Sequence, residues 1–176
     1  CTLIHHGAVD GVTGSCHQLV LDNGRSVLVD CGLFQGAETS TDGNGAERLE
    51  ITFATDGILA LVLTHVHLDH AGRIPYLLAA GFRGPILCSR ASAQLLPLVL
   101  EDALKVGVTR DQTLVRRFLD QIRRQTVALD YEQWHPVLDG TPSLQIKLSP
   151  AGHILGSAYV QMQVQRGGAK HRVLFS

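Results

Sequence analysis

No run of apolar residues in this 176-residue sequence approaches the length of a membrane span, so no segment of it reads as a membrane-crossing helix. No signal peptide opens the chain, and it reads as cytoplasmic. Charge of one sign is missing as well. The formal net charge is −1, so no global field draws the protein to nucleic acid or to a membrane surface, although a local basic patch stays open. The four cysteines, Cys1, Cys16, Cys31 and Cys88, form no CxxC pair. They read as reduced thiols of a cytosolic protein, with Cys16, Cys31 and Cys88 filling core space. There is no internal repeat. The charged fraction, 18%, is slightly low for a globular protein, and the length fits one domain or part of one.

The first third of the chain reads as β-structure. Cys16 to Leu21 and Ser26 to Cys31 are short runs separated by Asp22-Asn23-Gly24, a hairpin signature. Gly32 to Glu50 is rich in Gly, Ser, Thr and Asp and reads as a surface loop. Ile58 to Leu63 lacks polar alternation, as expected of a strand covered on both faces. A short helix is expected over Ile74 to Ala80, stopping at Gly81. Pro85 to Cys88 reads as a buried strand. Ser89 then caps a helix over Ala91 to Val106, which Pro97 should kink or break. A further helix spans Asp111 to Gln125, with Leu114, Val115, Phe118, Leu119 and Ile122 as its apolar stripe. Strands follow at Leu144 to Leu148, Ala158 to Val164 and Arg172 to Phe175, with Gly167-Gly168 in a turn. Strands mixed with helices imply an α/β architecture.

The richest feature is His65-Val66-His67-Leu68-Asp69-His70, three imidazoles and a carboxylate directly after the apolar run. In an extended stretch, residues two apart point the same way, so His65 and His67 can close on one metal ion while Asp69 and His70 reach a second. Nitrogen and oxygen donors suit zinc and its divalent neighbours. A solvated His-rich loop is the plainer alternative. The first ion needs another ligand, and His153 is the best candidate. It lies in Pro150-Ala151-Gly152-His153-Ile154-Leu155-Gly156-Ser157-Ala158, a glycine-bounded turn between two strands. Asp30 ends the apolar stretch SVLVDCG. It either accepts a hydrogen bond from a ligand imidazole or simply opens a turn, and the sequence leaves both readings open. His5 and His6 read as a tail. His17 lies on a strand and reads equally as a satisfied core residue, and His135 and His171 fall at turns or strand edges. None of these five is assigned to metal.

Three segments, GAVDGVTGSCHQLVLDNGRSVLVDCGLFQG, LTHVHLDHAGRIPYL and PAGHILGSAYV, together resemble the metallo-β-lactamase fold. VTGSCH, DCGLFQG and AGHILGSA resemble more narrowly its β-CASP branch of nucleic-acid-processing nucleases. The resemblance runs over nearly the whole chain. It implies an αββα sandwich with two zinc ions between two sheets, present here as an incomplete N-terminal portion with a mixed sheet flanked by helices. His65, His67 and His153 would hold one zinc, and Asp69 and His70 the second. Asp30 would be the supporting carboxylate, so that Asp69 and Asp30 are the candidate catalytic carboxylates.

In this family the strand VLFS leads into a Gly-Asp whose carboxylate bridges the metals, whereas here the sequence stops at Ser176. Residues 1–176 are therefore expected to be the N-terminal part of a metallo-β-lactamase domain, without the β-CASP domain or the C-terminal part. Alone they should be nearly inactive, and exposed apolar surface should favour self-association or a homodimer. The implied activity of the parent protein is zinc-dependent hydrolysis of a phosphodiester in RNA, or in single-stranded DNA, by a dinuclear metal-bound hydroxide, with endo- or exonuclease action open. Arg73, Arg90 and Arg110 are either nucleic-acid contacts or solvated surface charges. The alternatives are a thioesterase or lactonase on the same fold, or a non-catalytic scaffold subunit.

Overall fold

The computed structural model describes residues 1–9, 11–35, 49–107 and 111–176. Two sheets are stacked. The first is mixed, in the order β1 (Thr2–Gly7), β2 (Cys16–Val20), β3 (Ser26–Val29), β4 (Ile58–Val62), β5 (Ile86–Ser89) and β6 (Thr126–Leu129). Its first three strands are antiparallel neighbours, while β3, β4, β5 and β6 run parallel. The second is antiparallel, built from β7 (Trp134–Leu138), β8 (Ser143–Pro150), β9 (Ala158–Arg166) and β10 (Ala169–Phe175). The helices are α1 (Leu68–Ala71), α2 (Ile74–Ala79), α3 (Arg90–Gly107) and α4 (Gln112–Gln125).

Side-chain alternation divides the core. Leu28, Leu61, Leu63, Ile86 and Cys88 face the helices and pack with Ile74, Leu77, Leu96, Leu100 and Ile122. Val27, Val29, Ala60, Val62 and Leu87 face the other way and pack against Leu144, Ile146, Leu148, Val160 and Met162 of the second sheet. A central parallel strand buried on both faces needs apolar side chains at every position, which is why β4 shows no polar alternation. Fully burying each such Leu or Ile contributes roughly 1.5–3 kcal/mol. Among the described residues the layers are helices, mixed sheet and antiparallel sheet.

Several expectations are corrected. Pro97 lies inside α3, one continuous 18-residue helix, so of the expected kink or break the break does not occur. The lost hydrogen bond costs about 3 kcal/mol, and the buried Leu96, Leu100 and Leu104 on the same helix offset it. His5 and His6 lie on β1 rather than in a tail. That edge strand is mostly exposed and carries no apolar alternation to betray it. Strands β6 and β7 were not expected. β6 follows α4 with no turn residue between them, and Pro136 in β7 is tolerated because β7 is an edge strand. The expected loop over Gly32 to Glu50 lies largely outside the described residues, as does Arg110.

Candidate metal centre

The His-rich segment follows the carboxyl end of β4, beside the carboxyl ends of β3 and β5, where open parallel sheets place their ligands. It is not extended throughout. His65 and His67 lie in the connection, whereas Asp69 and His70 lie in the short helix α1, whose turn rather than a strand sets their direction. Backbone hydrogen bonds stitch this segment to the residue before β2 and to the loop after β3: Ser15 N to Asp69 O, 2.9 Å; Cys31 N to His70 O, 2.7 Å; Leu33 N to Leu68 O, 2.8 Å. Gly32 sits inside that seam, where a Cβ would lie 1.6 Å from the Asp69 carbonyl oxygen.

Asp30 occupies the end of β3 in the left-handed region, φ 58°, and is 2% exposed. Its Oδ1 accepts the Thr64 amide at 2.8 Å, and its Oδ2 lies 2.7 Å from His70 Nδ1. A carboxylate only accepts, so Nδ1 carries the proton and His70 Nε2 is the ring's free donor atom. That nitrogen lies 3.6 Å from Asp69 Oδ2. Burial opposes the charged form of His70, but the hydrogen bond to Asp30 and the charges of Asp30 and Asp69 outweigh it and hold the ring above its ordinary pKa.

Thr64 extends the same logic to His65. Its Oγ1 lies 2.8 Å from Asp30 Oδ2 and 3.0 Å from His65 Nδ1. The single hydroxyl proton goes to the carboxylate, so the oxygen accepts from Nδ1–H and leaves Nε2 of His65 open. Burial first, and the charge of His70 next, push His65 down to about 4, which keeps the ring neutral and its lone pair available near neutral pH.

His153 comes from the β8–β9 turn and meets this segment across the gap between the sheets. Its Nε2 lies 3.3 Å from His67 Nδ1, and its ring centroid is 4.9 Å from that of His65. One donor atom from each of His65, His67 and His153 falls within 4.8 Å of the others. Ligands bound at 2.0–2.1 Å in a tetrahedron sit about 3.4 Å apart, so the three rings need to close by no more than about 1.4 Å to share one small divalent ion. Asp69 and His70 Nε2 form a second pair of donors with similar spacing. Both groups adjoin a cavity of about 400 Å³ that is also lined by His17, Tyr159 and Phe175.

The residues brought together are thus Asp30, His65, His67, Asp69, His70 and His153, with two additions: Thr64, which sequence reasoning does not single out, and His17, which it leaves unassigned. His17 shares the β2 face of Leu19 and Leu21, so strand alternation aims it between the sheets. Thr64 carries no comparable signal. Arg73 does not reach outward: it is 4% exposed and its Nε donates to Gly32 O at 2.6 Å. Arg90 is exposed and paired with Asp130. Among the described residues no helix is long and apolar enough to cross a membrane.

Two stacked sheets, helices against the mixed one and a histidine cluster at the strand ends define the class of fold. The chain belongs to the metallo-beta-lactamase superfamily, which residues 11–158 match. It is 39% identical over 166 residues to ribonuclease TTHA0252 of Thermus thermophilus, a match covering 92% of this chain and 35% of that protein. It is 36% identical to transcription termination factor FttA of Cenarchaeum symbiosum, over 97% of this chain and 26% of that protein. It is 30% identical to cleavage and polyadenylation specificity factor subunit 3-II of Arabidopsis thaliana, over 88% of this chain and 25% of that one. The chain therefore spans between a quarter and about a third of the length of these relatives. Their names agree with the resemblance to RNA-processing β-CASP nucleases read from the motifs. Among solved structures, the subclass B3 metallo-beta-lactamase MEM-A1 from a soil metagenome library superposes with a TM-score of 0.54 at 17% identity, covering 93% of this chain and 56% of that one. The metallo-beta-lactamase fold protein YhfI of Bacillus subtilis gives 0.52 at 19% identity, over 98% and 59%.

Proposed function

We propose that the chain carries the metal-binding part of a zinc-dependent phosphodiester hydrolase acting on RNA in the cytoplasm. The observation that carries this reading is the meeting of His65, His67 and His153 beside the Asp30–His70 pair. Relatives named for RNA cleavage, transcription termination and polyadenylation-factor function support RNA as the substrate of the whole protein, and the nitrogen and oxygen donor set supports zinc. His65, His67 and His153 hold one ion, and Asp69 and His70 reach a second. Divalent ions bound there would act as Lewis acids, withdrawing charge from the phosphoryl oxygens and activating water.

The chain's own residues set up that chemistry. Asp30 fixes the His70 tautomer directly and the His65 tautomer through the Thr64 hydroxyl. The cavity between the sheets, walled by Tyr159 and Phe175, gives the substrate backbone a place to lie. Free thiols at Cys16, Cys31 and Cys88, all buried, suit a reducing compartment.

The test is cleavage of end-labelled RNA by the whole protein, run after chelation and after zinc is returned, beside a thioester and a lactone substrate. Zinc-restored RNA cleavage is expected. Turnover of the thioester or lactone without RNA cleavage would overturn the reading.

A further inference from the structure

Two buried serines at the start of α3 hold the turn that presents His153. Ser89 is 1% exposed and Ser92 is fully buried. Ser89 Oγ donates to the Gly156 carbonyl at 2.7 Å, and Ser92 Oγ donates to the same oxygen at 3.0 Å. Both lone pairs of that carbonyl are thereby used. The contact spans more than sixty residues of sequence and joins the helix layer to the β8–β9 turn. Gly156 sits at φ 87°, and a Cβ there would lie 2.7 Å from both the amide nitrogen and the Oγ of Ser92. Backbone and hydroxyls therefore meet with no room for a side chain.

The two serines are not equivalent. Ser89 Oγ also accepts the Ser92 amide at 3.2 Å, so it caps α3 while it binds the turn. Ser92 has no capping duty. Its hydroxyl lies in the first turn of a helix, fully buried, and its hydrogen bond there goes to Gly156.

From Gly156 the hold passes to His153 within three residues. Ser157 Oγ accepts the His153 amide at 3.0 Å and the Ile154 amide at 3.2 Å, and Ser157 N donates to Ile154 O at 3.0 Å. Ala158 N donates to Thr64 O at 2.9 Å, tying the far side of the turn to the residue before His65. The carboxyl side of the turn is thus pinned to α3 at Gly156 and to the start of the His-rich segment at Ala158. His153 itself is exposed, so neighbouring side chains do not fix its ring by burial.

We propose that Ser92, with Ser89, is a positioning residue for His153: the pair clamps the Gly156 carbonyl so that the imidazole stands ready to close a three-histidine site. The proposal rests on the reading that His65, His67 and His153 hold a divalent ion. In the clamp's absence the turn samples more conformations, and ordering it is charged against metal binding. A three-histidine site with one wandering ligand behaves toward a two-histidine one.

The experiment measures zinc affinity by competition with a chromophoric chelator, using the full chain and its Ser92→Ala and Ser92→Thr variants. Melting in excess chelator is recorded for each. Ser92→Ala is chosen because it leaves the α3 cap in place. Its zinc affinity is expected to fall about tenfold, the lower end of what losing a ligand-orienting partner costs. Metal-free melting should change little, and Ser92→Thr, which keeps the hydroxyl, should bind nearly as the parent does. Substitution of cobalt for zinc should show altered ligand-field bands in Ser92→Ala only. Parent-like zinc affinity in Ser92→Ala overturns the proposal. So does loss of the metal-free fold in that variant, which would make Ser92 a general packing residue. Failure of the underlying metal reading looks different: the parent chain itself would bind no zinc, and His153→Ala would bind as the parent does.

Discussion

His70 Nδ1 and Asp30 Oδ2 stand 2.7 Å apart, with the carboxylate almost fully buried at the end of β3 and the imidazole projecting from α1. A carboxylate so buried must be paired, and every partner of Asp30 belongs either to the His-rich segment or, through Ser15, to the loop beside it. The acid is therefore paired within this part of the fold and does not open an exposed turn.

Asp30→Asn tests what the charge does. Asparagine tolerates the left-handed backbone, so the local fold should survive. Its amide cannot accept through both heads, and the His70 and His65 tautomers lose their anchor. Zinc binding is expected to weaken by roughly ten- to a hundredfold. Calorimetric titration of the metal-free protein checks this, and affinity equal to that of the parent would show that the tautomers are set some other way.

Gly32→Ala addresses the seam that brings Asp69 and His70 to Asp30. The added methyl would meet backbone on the opposite strand of the seam, and backbone cannot rotate away as a side chain can. Overpacking of an ordinary core costs about 1–3 kcal/mol, and this contact should reach or exceed the upper end. Urea denaturation of the variant would read the loss. A change of less than 0.5 kcal/mol would mean that the seam opens easily.

The sequence carried the buried strands and the histidine cluster because each leaves a local mark. β4 is a run of apolar residues because both of its faces are covered, and the metal-type donors of the His-rich segment lie within six residues. The edge strands β1 and β7 leave no such mark, since exposure removes the apolar alternation. Thr64, Ser92 and Ser157 are also silent in sequence. A serine or threonine hydroxyl is commonplace, and what distinguishes these three is the partner it meets across the fold. His153 could be nominated from its glycine-bounded turn, but its approach to His67 depends on the stacking of two sheets that no local pattern encodes.

His17 supplies a pH dependence. Burial, and after it the charge of neighbouring His5, hold its ring below the ordinary pKa. The folded state therefore favours neutral His17, while the unfolded chain takes up a proton as pH falls past the ordinary value near 6.5. The stability due to the neutral ring is complete above that value and is lost as pH falls through the lower, folded-state value. His17→Gln should flatten the stability profile between pH 7 and pH 5, measured by urea titrations in excess chelator. An identical slope in both proteins would assign the acid sensitivity to other groups.

His153→Ala separates metal binding from folding. The ring is exposed and its hydrogen-bond contact is with another exposed histidine, so its loss should cost the metal-free fold no more than about 0.5 kcal/mol, as at an ordinary surface position. Metal binding is another matter. Structural zinc sites with four ligands bind with about 10–16 kcal/mol, so each ligand accounts for roughly 2.5–4 kcal/mol, or about two orders of magnitude in affinity. Zinc held at a hundred times the parent's dissociation constant should stabilise the parent by about 2.7 kcal/mol. In a chain of this length that raises the melting temperature by about 5–11 °C. At the same free zinc concentration the variant is only half saturated and gains about 0.4 kcal/mol, so the shift should nearly vanish. Thermal melts of both proteins, with zinc and with chelator, give all four numbers. A zinc-induced shift of full size in His153→Ala would remove His153 from the site, leaving His65 and His67 to find their third ligand elsewhere.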